Sequence, residues 1–199
     1  MSLIEIERKR ALEGREPLEQ RLKQSGFVAT GPMVEVDTYY SRPDVDFLVT
    51  VECLRVRERD GGCEVTYKPA SDSTTHSTAG VIAKQETNVA LANVAQAVHA
   101  HALLEALGMV RLARVEKSRT SYRLSERPEL SVVVDTIAGL GAFVETEIVS
   151  EGSRQEAVRQ LEETERLLGL SSHPVVTSPY RDLLLSARAN EDAVRAPAR

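Results

Sequence analysis

The chain has no tryptophan, only three phenylalanines and only five tyrosines among its 199 residues. That is too few rings for an aromatic stacking platform for single-stranded nucleic acid. Positive charge is also short: 25 lysines and arginines stand against 30 aspartates and glutamates, a formal net charge of −5. A protein that tracks nucleic-acid phosphates is normally basic, so no nucleic-acid partner is expected. Two cysteines, Cys53 and Cys63, make neither a disulfide framework nor a zinc site. His76, His99, His101 and His173 lack the spacing of a metal-ligating set. Gly139-Leu-Gly141 is a turn and not a phosphate loop, because no Lys-Ser or Lys-Thr helix start follows it. No apolar run approaches the roughly 18–20 residues that span a bilayer, so no membrane partner is expected. Charged residues fill the start of the chain where a secretory signal needs an apolar stretch, and a cytoplasmic location follows as an expectation.

What is present suffices for a core: 42% of residues are hydrophobic and 28% charged. The length suits a single domain, expected over 1–187, with an Ala-, Arg- and Pro-rich tail at 188–199 expected to be frayed and disordered. Strand signals fall at 4–10, 34–40, 63–68, 81–87, 130–137 and 142–149, with one or two more in 47–59. The stretches 109–118 and 120–126 read as two strands or one broken ladder. Asp60-Gly61-Gly62 reads as a hairpin turn. The Ser- and Thr-rich 69–79 reads as a mobile loop. Helical spacing covers 17–25, an Ala-rich 89–107 capped by Asn88 or Asn93, 153–168 capped by Ser153, and a short 180–187. About eight strands with three or four helices give an α+β chain, and many short strands favour a barrel or a sandwich.

Alternation along the strands carries the chemistry, because residues i and i+2 share a face. Glu5, Glu7 and Lys9 share one face, opposite Ile4 and Ile6. Arg55 pairs with Arg57, Lys84 with Glu86, Lys117 with Arg119, Val133 with Asp135, and Glu145 with Glu147. Any one such pair reads as the solvent face of an ordinary strand. The set reads differently, since like charges side by side on an exposed face gain nothing. If these faces point into a barrel, the apolar faces point out beneath helices. Lys9, Arg55, Arg57, Lys68, Lys84, Lys117 and Arg119 then face Glu5, Glu7, Glu86, Asp135, Glu145 and Glu147 across one interior. Burying so much charge is costly unless the interior binds ions and a ligand. Clustered carboxylates suit Mg²⁺ or Mn²⁺, and convergent Arg and Lys suit phosphate oxygens. A metal-chelated triphosphate needs both.

Glu5-Ile-Glu7-Arg-Lys9 resembles the N-terminal ExExK signature of the CYTH family, the triphosphate tunnel metalloenzymes. Further matches keep the family's order: Arg55-Val-Arg57, Lys68 before a proline, Lys84-Gln-Glu86, Glu116-Lys117-Ser-Arg119 with Tyr122, Asp135 through Gly139-Leu-Gly141 to Glu145-Thr-Glu147, and Ser178-Pro-Tyr180-Arg181. The resemblance spans about residues 1–187. It implies an eight-stranded antiparallel barrel, a tunnel lined by charge, with helices packed outside. It also implies that Glu5, Glu7, Glu145 and Glu147 hold divalent metal, with Asp135 touching the metal or standing behind its ligands. Glu86 would help with metal or hold a neighbouring cation. Lys9, Arg55, Arg57, Lys68, Lys84, Lys117, Arg119 and Arg181 are the implied substrate-binding set, and Glu5, Glu7, Lys9 and Glu147 the implied catalytic set. Pro179 departs from the family's usual Ser-x-Tyr ending.

The family contains triphosphatases acting on inorganic or thiamine triphosphate and class IV adenylyl cyclases. A metal-dependent triphosphate hydrolase is the preferred expectation, because hydrolysis needs only the tunnel. Cyclisation of ATP to cyclic AMP and pyrophosphate also needs an adenosine pocket that the sequence does not locate. A non-catalytic polyphosphate or nucleotide binder is the third reading, and the four glutamates speak against it. The expected partner is a small-molecule triphosphate. A homodimer contact through 89–107 stays open.

Overall fold

The computed structural model describes residues 4–77 and 79–195, with side chains described as far as residue 190. Among the described residues, nine strands make one antiparallel sheet: β1 (Ile4–Leu12), β2 (Val28–Ser41), β3 (Cys53–Arg59), β4 (Gly62–Lys68), β5 (Ile82–Gln85), β6 (Thr87–Leu91), β7 (Val110–Leu124), β8 (Arg127–Ile137) and β9 (Gly141–Ser150). Their spatial order is β5-β1-β9-β8-β7-β2-β3-β4-β6. The two edge strands are consecutive in the chain, so the sheet curls into a nearly closed barrel. The strand expected at 81–87 breaks at Glu86, which raises the count from the expected eight to nine. One segment has to bond β1 with its first half and β4 with its second, and it bends between them.

Four helices pack outside: α1 (Glu16–Gln24), α2 (Ala97–Ala106), α3 (Arg154–Leu167) and α4 (Tyr180–Arg195). Pro17 opens α1, where a missing N–H costs nothing, and Gly26 at φ 84° follows its end. Ser153 caps α3 by accepting from the Glu156 N–H. Leu18, Leu22, Ala157 and Leu161 of α1 and α3 bury against Ile6, Val132, Val134, Val144 and Ile148, the outward apolar faces of the strands. Beneath α2 the outward residues are Tyr40, Val56 and Cys63, met by Ala97, Ala100 and Leu104. The greasy sides of this barrel therefore face its helices, and its interior is left to charge.

A third apolar cluster joins α4 to the barrel. Tyr39, Val115, Ile137 and Phe143 pack with Tyr180, Leu183 and Leu184 of α4. Tyr180 meets Phe143 edge-on at 5.2 Å between ring centres.

Several expectations are corrected. The Ala-rich helix does not start at 89: Thr87–Leu91 is strand β6, a 3-10 turn covers Val94–Gln96, and α2 begins at Ala97. Pairing with β4 overrides the helical propensity of those residues, and Asn93 caps only the 3-10 turn, without a side-chain bond. Of the two readings left open for 109–126, the single ladder is the one found, as β7 (Val110–Leu124), while 47–52 is turn and irregular chain instead of a strand. The described residues of the 69–79 loop make hydrogen bonds that its composition did not announce: Ser71 N–H donates to Thr50 O, Ala83 N–H donates to Thr75 O, and Asp72 accepts from Thr74 and Thr75. The last helix runs past 187 to Arg195, and residues 196–199 lie outside the described residues.

Candidate functional site

The barrel interior holds a cavity of about 380 Å³. Register decides who meets whom inside it. On β1 and β9, Glu7 lies opposite Glu147 and Lys9 opposite Glu145. On β2 and β3, Asp37 lies opposite Arg57, and on β7 and β8, Arg119 lies opposite Asp135. Alternation then sends these side chains to one face. Of the residues singled out from the sequence, Glu5, Glu7, Lys9, Arg55, Arg57, Lys68, Lys84, Glu86, Lys117, Arg119, Glu145, Glu147 and Arg181 all line the cavity. Asp135 does not; it is fully buried behind Arg119.

Glu5, Glu7 and Glu147 form the acidic side. Each offers a carboxylate oxygen, and the three oxygens lie within 4.8 Å of one another. Burial, opposed by Lys68 and reinforced by Glu5 and Glu145, pushes the Glu7 carboxyl up to about 7. Burial, opposed by Arg119 and reinforced by Glu5 and Glu145, pushes Glu147 up to about 8. Like charges in a poorly hydrated wall hold their protons unless a cation joins them. A hard divalent ion fits this donor set, which is all carboxylate oxygen. Glu147 also accepts from Ser131 Oγ at 3.0 Å. Glu5 is ion-paired with Lys68, whose Nζ lies 3.2 Å from Glu86. Glu86 also stands 3.8 Å from Arg55, so among the described residues it sits between two cations and outside the three-oxygen group.

The cationic side is partly spoken for. Arg57 donates from Nε and Nη2 to the two oxygens of Asp37, at 2.6 and 2.7 Å. Arg119 grips Asp135 in the same way at 2.7 and 2.5 Å, and its Nη2 also reaches Glu145 at 2.8 Å. Burial alone would raise Asp135, but Arg119 and Lys117 outweigh it and hold the carboxyl down at about 2. Lys117 lies 3.3 Å from Glu35 and 3.6 Å from Asp135. Burial, with Arg119 and Arg57 nearby, lowers its pKa. Burial also lowers Lys9, which donates to Ser178 O at 2.7 Å and lies 4.1 Å over the Tyr180 ring.

Lys84 and Arg181 tie loops to the barrel. Lys84 Nζ donates to Val51 O at 2.6 Å and to Pro69 O at 3.1 Å. Val51 holds φ 54°, strained for a β-branched residue, and that turn is part of the loop whose carbonyl Lys84 takes. Arg181 donates to Glu52 O, Phe47 O and Asp182, and is 1% exposed.

Sequence reasoning missed Tyr39 and Tyr180 as lining residues, and Glu35 and Asp37 as the buried carboxylates behind the lining arginines and Lys117. The signal was present in Glu35-Val36-Asp37, which alternates like the strands that were recognised. Because 34–40 opens on Val34 and ends in two tyrosines, its β-branched and aromatic content was read as a strand signal and nothing more.

Residues 3–180 match the CYTH domain model. A proposed adenylate cyclase of Methanocaldococcus jannaschii is 25% identical over 184 residues, covering 91% of this chain and 98% of that protein. Among solved structures, the PH1819 protein of Pyrococcus horikoshii OT3 is similar with a TM-score of 0.73 and 24% identity, over 92% of this chain and 98% of that one. A proposed adenylate cyclase of Vibrio parahaemolyticus reaches a TM-score of 0.74 at 17% identity, over 93% and 99%. A Hippeastrum protein, described as a proposed adenylyl cyclase with a dominant triphosphatase activity, reaches 0.65 at 16% identity, over 94% and 96%. With the family model matched over nearly its whole length and the charged barrel interior in place, this chain belongs to the CYTH domain family.

Proposed function

We propose that the protein is a divalent-metal-dependent phosphohydrolase whose substrate is a small triphosphate bound inside the barrel. The observation that carries this reading is the three-carboxylate group of Glu5, Glu7 and Glu147 on the wall of the same cavity as Arg55, Arg57, Lys68 and Arg119. A plain anion site would not keep three glutamates beside its arginines. Glu5, Glu7 and Glu147 would hold Mg²⁺ or Mn²⁺. Such an ion, when bound, neutralises phosphate charge and lowers the pKa of a water.

The chain's own residues supply the remainder. Arg55, Arg57, Lys68 and Arg119 receive the phosphate oxygens, with arginine suited to fixed, directional donation. Lys9, held by Ser178 O and the Tyr180 ring, brings a positive charge to the cavity wall beside Glu145. Phosphoryl transfer asks mostly for positioning and charge stabilisation, which this wall supplies. Lys84 and Arg181 act first on the loops that border the cavity and only through them on substrate. No described helix is long and apolar enough to cross a membrane.

A second reading, ATP cyclisation, draws on the adenylate-cyclase names of relatives. It also draws on Val51, Ile82 and Pro179, apolar residues among the lining where a base could rest. Incubating the protein with tripolyphosphate or ATP and Mg²⁺ or Mn²⁺, then separating products, decides between the two. Orthophosphate release that EDTA abolishes supports hydrolysis. Cyclic AMP with pyrophosphate from ATP sinks it in favour of cyclisation, and metal-independent affinity without turnover sinks both.

A further inference from the structure

We propose that Asp37, on β2, is a positioning residue that clamps Arg57 so that one guanidinium nitrogen, Nη1, is held out as a fixed phosphate donor. The inference rests on the triphosphate reading and deepens it. Asp37 and Arg57 are direct cross-strand neighbours. Their Cα atoms are therefore about 4.5–5.5 Å apart, much less than an extended arginine reaches. The arginine cannot meet its partner end-on, so it folds alongside and binds with Nε and Nη2. Nη1 has no hydrogen bond among the described residues.

The two members of the pair differ in access. Arg57 lines the cavity, whereas Asp37 does not and is 1% exposed. Asp37 therefore acts on a ligand only through the lining residues it touches: Arg57 first, by two short hydrogen bonds, then Tyr39, which donates its hydroxyl at 3.4 Å, and Arg55 and Lys117, each at 3.8 Å. A second pair repeats the device on the other side of β2. Arg119 and Asp135 are again direct cross-strand neighbours, again joined through Nε and Nη2, with Asp135 again screened from the cavity. Two strand pairs thus arrive at one geometry: a hidden carboxylate, a side-on arginine, and an Nη1 without a hydrogen bond among the described residues. In this arrangement Asp135 belongs to Arg119 and not to the metal, a departure from its expected role.

A clamped arginine has already given up its rotamer freedom, so less is lost when phosphate arrives. An unclamped one would be freer but would also be rid of a neighbouring negative charge. The two accounts predict opposite signs for Asp37→Asn. Tripolyphosphate affinity is measured by calorimetry in EDTA, and turnover is measured as phosphate release with Mg²⁺. Positioning predicts that Asp37→Asn weakens affinity and raises KM about tenfold, with kcat changed less than about twofold. Arg57→Lys, which cannot form the fork, should lose a similar factor, and the double variant should lose no more than Arg57→Lys alone. Unchanged or tighter tripolyphosphate binding by Asp37→Asn overturns the proposal, as does full additivity in the double variant. Should Asp37→Asn fail to fold, Arg57→Lys carries the test, and unchanged affinity there overturns it equally. A wild-type protein that binds no tripolyphosphate removes the triphosphate reading itself, an outcome distinct from both.

Discussion

Strand β1 separates two ionic clusters, each built from glutamates and basic side chains. On its outer face, Arg8 and Arg10 both reach Glu165 of α3, at 2.6 Å and 2.8 Å. Arg8 also meets Glu162 at 3.2 Å, and Arg10 donates to His173 O at 2.6 Å. Opposite charges meet there at hydrogen-bond distance, and the cluster fastens α3 to the barrel. On the inner face, Glu5, Glu7 and Lys9 meet Glu147 and Glu145, and carboxylates crowd carboxylates. The outer cluster pairs opposite charges within the chain, although Arg8 Nε is buried without a hydrogen-bond partner. The inner one sets three carboxylates within 4.8 Å of one another, and on the proposed reading a dication completes it, whereas the outer network needs no ion.

The largest break in this contrast comes from Glu147→Gln. Metal-dependent phosphate release should fall at least about 100-fold if, as proposed, Glu147 is a ligand of the dication. Metal-free thermal stability should hold or rise, because a carboxyl that resists ionisation is gone. A destabilised Glu147→Gln protein with normal turnover would reverse the assignment.

Glu165→Gln should behave the opposite way. Two buried guanidinium groups lose their shared anion, and unfolding free energy should drop by about 3 kcal/mol in denaturant titration. Turnover per folded molecule should be unchanged.

Proton linkage sharpens the contrast next. Glu7 and Glu147 sit at about 7 and about 8, above the free-carboxylate value of 4.5. Both favour folding when protonated. Their contribution is whole below pH 4.5 and vanishes as pH climbs through about 7 and 8. Metal-free protein should therefore lose stability on the order of several kcal/mol between about pH 5 and pH 9 from these groups. Saturating Mg²⁺ or Mn²⁺ should flatten that slope, and an identical slope with and without metal would detach the two glutamates from the ion.

The smallest effect is expected at the exposed surface. Arg111 and Glu105 meet at 2.7 Å, but their side chains are 58% and 47% exposed. Arg111→Ala should change stability by less than about 0.5 kcal/mol, since solvent screens such pairs.

Much of the site was legible because strands keep a strict period. Once Glu5 and Glu7 were placed inside, Lys9 had to follow, and the same rule collected Arg55 with Arg57 and Glu145 with Glu147. Periodicity is silent about partners across strands. It could not say that Glu86 would sit between Lys68 and Arg55, or that Arg181 would spend its donors on Phe47 O and Glu52 O. The fold was legible to a similar depth. Turn residues such as Gly61, Gly139 and Gly141 mark where strands reverse, and all three adopt positive φ. The start of α2 was not, because residues 87–91 are helix-tolerant by composition and strand by pairing.

By itself the sequence determined which side chains share a face, since alternation is a local property of an extended chain. It thereby determined that charge and grease lie on opposite sides of the sheet. Tertiary structure alone decided which faces look inward and which carboxylate meets which cation. Closure of the sheet through β5 and β6 and the register of β2 against β3 and of β7 against β8 depend on residues far apart in the chain. Those distant pairings turn Asp37 and Asp135 toward arginines and leave Glu5, Glu7 and Glu147 facing one another.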